Sequence, residues 1–209
     1  MLLLHISDIH FRKPDCPHPD TDPDHAYRTL LMHEVRRQAE SLGAIGAILV
    51  GGDIAFKGDP KEYEIALAWL KELAKVCGCP FERIFVVLGN HDVDRRTITN
   101  TPSVRNVQRA IAQAEPQHRE RELRTQFNDA ETGRSLLLPL TAYNEFAKLF
   151  SCQVYSPDHL YWKQDVTERR RTSAPLWAHV GAAVRKRRQG RCPRQPLSQP
   201  ASDCSRTSR

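Results

Sequence analysis

Apolar residues fall into short unbroken runs in the first part of the chain, with helical stripes between them. Leu2 to Ile6 (broken in polarity only at His5), Ile45 to Val50 and Ile84 to Leu88 have strand length and the near-continuous hydrophobicity of strands buried on both faces of a parallel sheet. Between the first two runs, Tyr27, Leu30, Leu31, Val35, Gln38, Ala39 and Leu42 recur at helical spacing, and Gly43 stands where such a helix would stop. Between the second and third, Asp59-Pro60-Lys61-Glu62 supplies an N-cap, a proline at the first helical position and a capping-box glutamate. The stripe Ile65, Trp69, Leu70, Leu73 and Val76 follows, and Gly78 closes it. The order strand, helix, strand, helix, strand with short links predicts right-handed crossovers and a parallel α/β sheet.

The pattern weakens past Asp92. Val104 to Gln113 and Gln117 to Asn128 are polar and only weakly amphipathic, whereas Leu140, Tyr143, Phe146, Ala147 and Phe150 share one helical face. Phe11 to Asp24 carries Pro14, Pro17, Pro19 and Pro23, which predicts a proline-stiffened loop over the rim that follows the first strand. Its Asp20, Asp22 and Asp24 lack the Gly and terminal Glu of a calcium loop.

Charge changes the picture at the other end. The 209-residue chain has a formal net charge of +6, but residues 165–209 hold 11 Lys+Arg against 3 Asp+Glu, and the remainder carries a net −2. Glu168-Arg169-Arg170-Arg171 and Arg185-Lys186-Arg187-Arg188, followed by Pro193, Pro196 and Pro200, have no pattern able to bury a face. Residues 1–164 therefore read as the folded domain, and 165–209 as a basic tail, disordered or frame-shifted. Such Lys/Arg runs bind nucleic acid through phosphates. No apolar run approaches the ~18–20 residues of a membrane span, and Met1-Leu2-Leu3-Leu4 is too short for a signal sequence. Cys16, Cys77, Cys79, Cys152, Cys192 and Cys204 show no framework spacing. The expectation is a cytoplasmic protein with structural cysteines and no membrane partner.

Candidate chemistry sits where the apolar runs end. Ser7-Asp8-Ile9-His10, Gly51-Gly52-Asp53 and Leu88-Gly89-Asn90-His91-Asp92 place carboxylates, an amide and imidazoles just past each run. In an open α/β sheet these would meet at the rim outside the strands' carboxyl ends, where ligands bind. Carboxylate, amide oxygen and imidazole suit Mn, Fe, Zn or Mg. A carboxylate shared by two such ions, Asp53 being the best placed, would hold them about 3.5–4 Å apart.

These three blocks, in this order, resemble the first blocks of the calcineurin-like metallophosphoesterases. The resemblance covers about residues 1 to 162, with its metal-binding matches ending at Asp92. It implies a metallophosphoesterase-like β-sandwich with flanking helices, here only the first βαβαβ half plus a helical insertion over the metal site. It implies two divalent metal ions, with Asp8 and His10 on the first, Asp53 bridging and Asn90 on the second. His91 would face the phosphate and the departing oxygen, and Asp92 would orient that imidazole. The activity implied is hydrolysis of a phosphoester substrate by a two-metal-activated hydroxide. Phosphoprotein phosphatases of this superfamily carry a Gly soon after the first His and end the third block in Glu. Phe11 and Asp92 at those places lean the reading towards phosphodiesters or small phosphorylated molecules.

The family's later blocks, a His ending a further strand and a G-H-x-H, have no counterpart. His118, His159 and His179 are the only histidines after His91, and none follows a Gly. The expectation is a truncated or frame-shifted chain, short of the ligands that turnover needs. The alternatives are a non-catalytic remnant or a nucleic-acid-binding protein acting through its basic tail.

Overall fold

A computed structural model describes residues 1–154, 160–168, 171–172 and 176–179, with side chains described as far as Val166. Strands β1 (Leu2–Ile6), β2 (Ile45–Val50) and β3 (Ile84–Val86) form a parallel sheet in the order β1-β2-β3. Helix α1 (His25–Leu42) links the first pair, and α2 (Pro60–Cys77) links the second. Register fixes what matters for function: Ile6 pairs with Val50, and Val50 with Val86. All three strands end in one row, so the loops carrying Asp8, Asp53 and Asn90 leave from the same rim. β3 is shorter than its apolar run, which extends to Leu88. The Val87 N–H still donates to Val50 O at 3.0 Å, and beyond it the chain curls so that the Gly89 N–H meets the Asp92 carboxylate at 2.8 Å.

The capping box forms as the sequence predicts. The Asp59 side chain accepts from the backbone at the start of α2, and the Glu62 side chain reaches back to the Asp59 N–H. The buried face of α2 is offset from the expected stripe: Tyr63, Ala66, Leu70, Leu73, Ala74 and Cys77 are buried, while Ile65, Trp69 and Val76 are only half-buried. α1 follows its predicted length, yet Tyr27, Leu30 and Leu42 of its expected stripe are exposed. Its contact with the core runs through Leu31, Val35 and Ala39 of that stripe, joined by Arg28 and Met32. The difference follows from the sheet, which has only three strands for two helices to cover. Leu3 is also 53% exposed, so one face of β1 is uncovered among the described residues. Ile6, Ile45, Ala47, Ile48, Val50, Ile84, Phe85 and Val86 form the sheet's share of the core. Each buried side chain of Val or Ile size contributes about 1.5–3 kcal/mol.

Beyond the sheet lie α3 (Arg95–Asn100), α4 (Pro102–Gln113), α5 (Arg119–Asn128), α6 (Ala130–Leu137) and α7 (Thr141–Lys148). The predicted face of the last segment is buried throughout: Leu140, Tyr143, Phe146, Ala147 and Phe150. Phe146 packs on Tyr63 of α2 with ring centroids 5.0 Å apart, and the Tyr143 hydroxyl donates to Val86 O at 3.2 Å. These contacts join α7 to α2 and β3; among the described residues, no hydrogen bond or ring contact joins α3 to α7 with Asp8, His10 or Asp53.

β4 (Tyr161–Gln164) pairs antiparallel with β7 (Leu176–His179), and β5 (Thr167–Glu168) with β6 (Arg171–Thr172). Trp162 stacks on Phe85 at 6.0 Å, and Val166, just past the boundary drawn at 164, is buried. Of the basic tail, the run Arg185 to Arg188 and everything from residue 180 onward lie outside the described residues. No helix among the described residues is long and apolar enough to cross a membrane. Cys16, Cys77, Cys79 and Cys152 are free and buried. Burial pushes the Cys79 and Cys152 thiols up to about 11, which disfavours the thiolate that redox or metal chemistry needs.

Candidate metal centre

Past the strand ends the first two loops continue the sheet as a laced pair. The Gly51 N–H donates to Ile6 O, Asp8 to Gly52 O, His10 to Asp53 O, and Phe11 to Ile54 O, at 2.7–3.1 Å. The β3 loop is drawn against this pair by close backbone approach. Gly52 sits at φ 100°, and a Cβ there would fall within 3 Å of Gly89 backbone. A Cβ on Gly89 would in turn collide with the side chain and backbone of Asp53. The glycines of the G-D and G-N pairs are thus the residues that let the two loops touch.

Within this lacing, Asp8, His10 and Asp53 converge, each offering a ligand atom within 4.8 Å of the others. All three backbones occupy the left-handed region, at φ 58°, 52° and 53°. That conformation is uncommon for residues bearing a Cβ, though Asp and His tolerate it better than most. It costs of order 1–3 kcal/mol per residue and clusters at functional sites. Only one other described non-glycine residue, Ser151, shares it. Alternation along an extended strand would send Asp8 and His10 to one face by itself. The left-handed turn at each aims both into the space beside Asp53.

Asp8 Oδ1 lies 3.9 Å from His10 Nε2. His10 Nδ1 is buried without a hydrogen-bond partner, an arrangement that a bound cation or a water would complete. Two carboxylates and an imidazole, close together and with unused acceptor capacity, fit a divalent cation of the Mn, Fe, Zn class.

His91 stands beside this cluster. Its backbone N–H donates to Asp53 Oδ1 at 2.8 Å, and its ring meets the His10 ring edge-on at 4.8 Å between centroids. Its Nδ1 lies 3.0 Å from Phe56 O, and its ring stacks on that of Phe56 at 5.1 Å and 21°. Asn90 is exposed in the same loop, one residue before His91.

Asp92 is placed differently from the expectation that it orients His91. It is 1% exposed, and its carboxylate accepts from the N–H groups of Ile54, Ala55 and Gly89 and from the Tyr63 hydroxyl, at 2.8–3.2 Å. With every approach taken by these donors, it braces the loops after β2 and β3, and the Phe56 carbonyl is the group on the imidazole. Burial pushes the Asp92 carboxyl up, opposed by those same hydrogen bonds. Burial, with Asp92 alongside, raises Tyr63 far above the usual phenol value, so its hydroxyl stays a donor.

Two contributors escaped the sequence reading. Phe56 carries no motif signal beyond its place three residues after Asp53. Glu62, legible only as a capping-box residue, is fully buried and accepts from the N–H groups of Lys13, Phe56, Lys57 and Asp59 at 2.9–3.2 Å. It ties the loop after β1 to the loop before α2. Of the later histidines, His118 is exposed beside Glu115, His159 lies outside the described residues, and His179 falls in β7, where side chains are not described.

Comparison with known proteins agrees with this geometry. The sequence matches the family profile described as calcineurin-like phosphoesterase over residues 1–185, past the boundary drawn at 164. No curated protein matches the sequence significantly.

Proposed function

Because the chain belongs to the calcineurin-like phosphoesterase family, we propose that it hydrolyses phosphodiesters or small phosphorylated molecules with two divalent metal ions at the rim. The observation that carries this reading is the convergence of Asp8, His10 and Asp53, all three in the left-handed region. Backbone strain at three potential ligands, in loops otherwise well satisfied, is the conformation that persists at ligand clamps and supports a preorganised cation site.

Asp8 and His10 would hold one ion, Asp53 would lie between the two, and the Asn90 amide oxygen would serve the second. Bound there, the ions would supply a nucleophile at neutral pH and neutralise charge on the phosphoryl oxygens. The chain's own part is orientation and proton handling. With Nδ1 of His91 engaged by a carbonyl, Nε2 is the nitrogen left to contact the phosphate and protonate the departing oxygen. Asp53 serves twice, since the oxygen that accepts the His91 N–H ties the ligand to the proposed acid. Phe11 after His10 and Asp92 closing the third block support the lean away from phosphoprotein substrates.

The test is hydrolysis of bis-p-nitrophenyl phosphate with added manganese, wild type beside Asp53→Asn, with bound metal quantified on the same samples. Wild-type turnover that Asp53→Asn reduces to background is the expected result. Equal activity in the two would remove the two-metal assignment. No turnover and substoichiometric metal in the wild type would favour a non-catalytic domain.

A further inference from the structure

We infer that Phe56 is a positioning residue for His91, fixing both the proton and the plane of its imidazole; the inference deepens the phosphoesterase reading and rests on it for its catalytic consequence. A carbonyl oxygen can only accept, so the 3.0 Å approach of His91 Nδ1 to Phe56 O puts the ring proton on Nδ1. The Phe56 side chain adds a second restraint, since its ring lies nearly parallel to the imidazole, 5.1 Å away and tilted by 21°. One residue thus holds one histidine through its main chain and its side chain together. A hydrogen bond at one nitrogen leaves rotation about that contact free, and the stacked ring removes it.

Phe56 is itself held. The Arg12 guanidinium lies over its ring at 3.8 Å, and His10 meets it edge-on at 6.0 Å. Arg12 is anchored by Asp24 at 3.5 Å, in the proline-rich loop. A guanidinium over an aromatic face is worth about 0.5–1 kcal/mol at exposed sites and more when desolvated. With Arg12 and His91 both packed on it, the ring is committed to protein partners and is not a stacking platform for a substrate base. The proline-rich loop thereby acquires a part in the site: it carries the guanidinium that lies over the Phe56 ring.

The test uses the full chain, with Phe56→Leu and Phe56→Tyr beside the wild type. Phe56 is only half-buried, so both variants are expected to fold, which thermal melting checks. In metal-free protein, long-range 15N–1H correlation of His91 should show the proton on Nδ1 and ring protons shifted upfield by the neighbouring aromatic ring. Phe56→Leu should abolish the upfield shift, and Phe56→Tyr should keep it. In the metal-loaded protein, Phe56→Leu should lower kcat with little change in KM. The fall should be at most about 10²-fold, the scale of a 1 Å misplacement of a reacting group. Phe56→Tyr should restore turnover. A neutral His91 ring whose single proton is on Nε2, ring shifts indifferent to residue 56, or a Phe56→Leu enzyme with wild-type kcat would each overturn the inference. A wild type that turns nothing over would defeat the phosphoesterase reading, while the spectra would still decide whether Phe56 holds His91.

Discussion

The rim and the helical segment α4 to α6 bury their polar groups by opposite rules. At the rim, Glu62 and Asp92 are sunk almost completely and saturated with donors, chiefly backbone N–H groups of the neighbouring loops. In α4 to α6 the charges stay outside. Arg124 reaches Glu120 along α5, Gln126 reaches Glu122, and no side chain of α5 is fully buried. A buried, fully satisfied carboxylate specifies the position of every group that donates to it, and losing it strands them all. An exposed ion pair specifies little and is screened by water. The contrast explains how three left-handed, Cβ-bearing residues persist side by side at the rim: the loops that hold them are pinned by buried carboxylates on which several N–H groups converge.

The largest break in that contrast should come from Glu62→Ala. The substitution strands the N–H groups of Lys13, Lys57 and Asp59, leaves the Phe56 N–H to the Phe11 carbonyl at 3.1 Å, and empties a fully buried site. Each buried donor left unsatisfied costs about 1–3 kcal/mol. Even with water entering to rescue some of them, a loss of about 3–5 kcal/mol is expected. Urea denaturation measures it, with an unchanged slope required for the comparison. A loss below about 1 kcal/mol would mean that the rim is not pinned from within and that its strain is held elsewhere.

Within the rim, the strain at Asp8 can be separated from its role as a ligand. Asp8 has φ 58°, its side chain is 67% exposed, and its carboxylate lies 3.9 Å from His10 Nε2. Removing the carboxylate therefore costs little contact. In an ordinary loop Ala is more stable than Gly by about 0.4–1 kcal/mol, because Gly has more freedom to lose on folding. At Asp8 the order should reverse, with Asp8→Gly more stable than Asp8→Ala by about 1 kcal/mol, since only Gly enters the left-handed region without a Cβ penalty. Thermal melts of the two metal-free variants decide it. Both should lose metal affinity alike, which separates the backbone effect from the ligand effect.

What could be read in advance divides along the same line. The strands, the capping box at Asp59, and the buried face Leu140, Tyr143, Phe146, Ala147 and Phe150 were legible because each is a local pattern whose period matches its structure. The meeting of Asp8, His10 and Asp53 was legible because the strands end together. The end of β3 at Val86, the service of Asp92 to Ile54, Ala55 and Gly89, and the grip of Phe56 on His91 were not. Each depends on one loop's backbone reaching another's, and backbone N–H and C=O groups carry no residue identity for a sequence to display. Adjacency misled in the same way: Asp92 follows His91 directly, yet its side chain points into the fold. On α1, the apolar stripe was real but wider than the surface available to cover it, so Tyr27, Leu30 and Leu42 remained outside.

The smallest expected effect lies in the helical segment and completes the contrast. Glu120 and Arg124 are both about three-quarters exposed and pair one turn apart on α5. An i,i+4 pair of this kind contributes about 0.3–0.5 kcal/mol, and raised salt reduces it further. Glu120→Ala should therefore change stability by less than about 0.5 kcal/mol, partly offset by alanine's better helix propensity. It should also leave metal uptake and turnover untouched. The same urea titration that reads Glu62→Ala serves here, repeated at low and high salt. A loss of more than about 1 kcal/mol would mean that α5 is held by its surface charges. In that case the helical segment, no less than the rim, would owe its position to specific polar contacts.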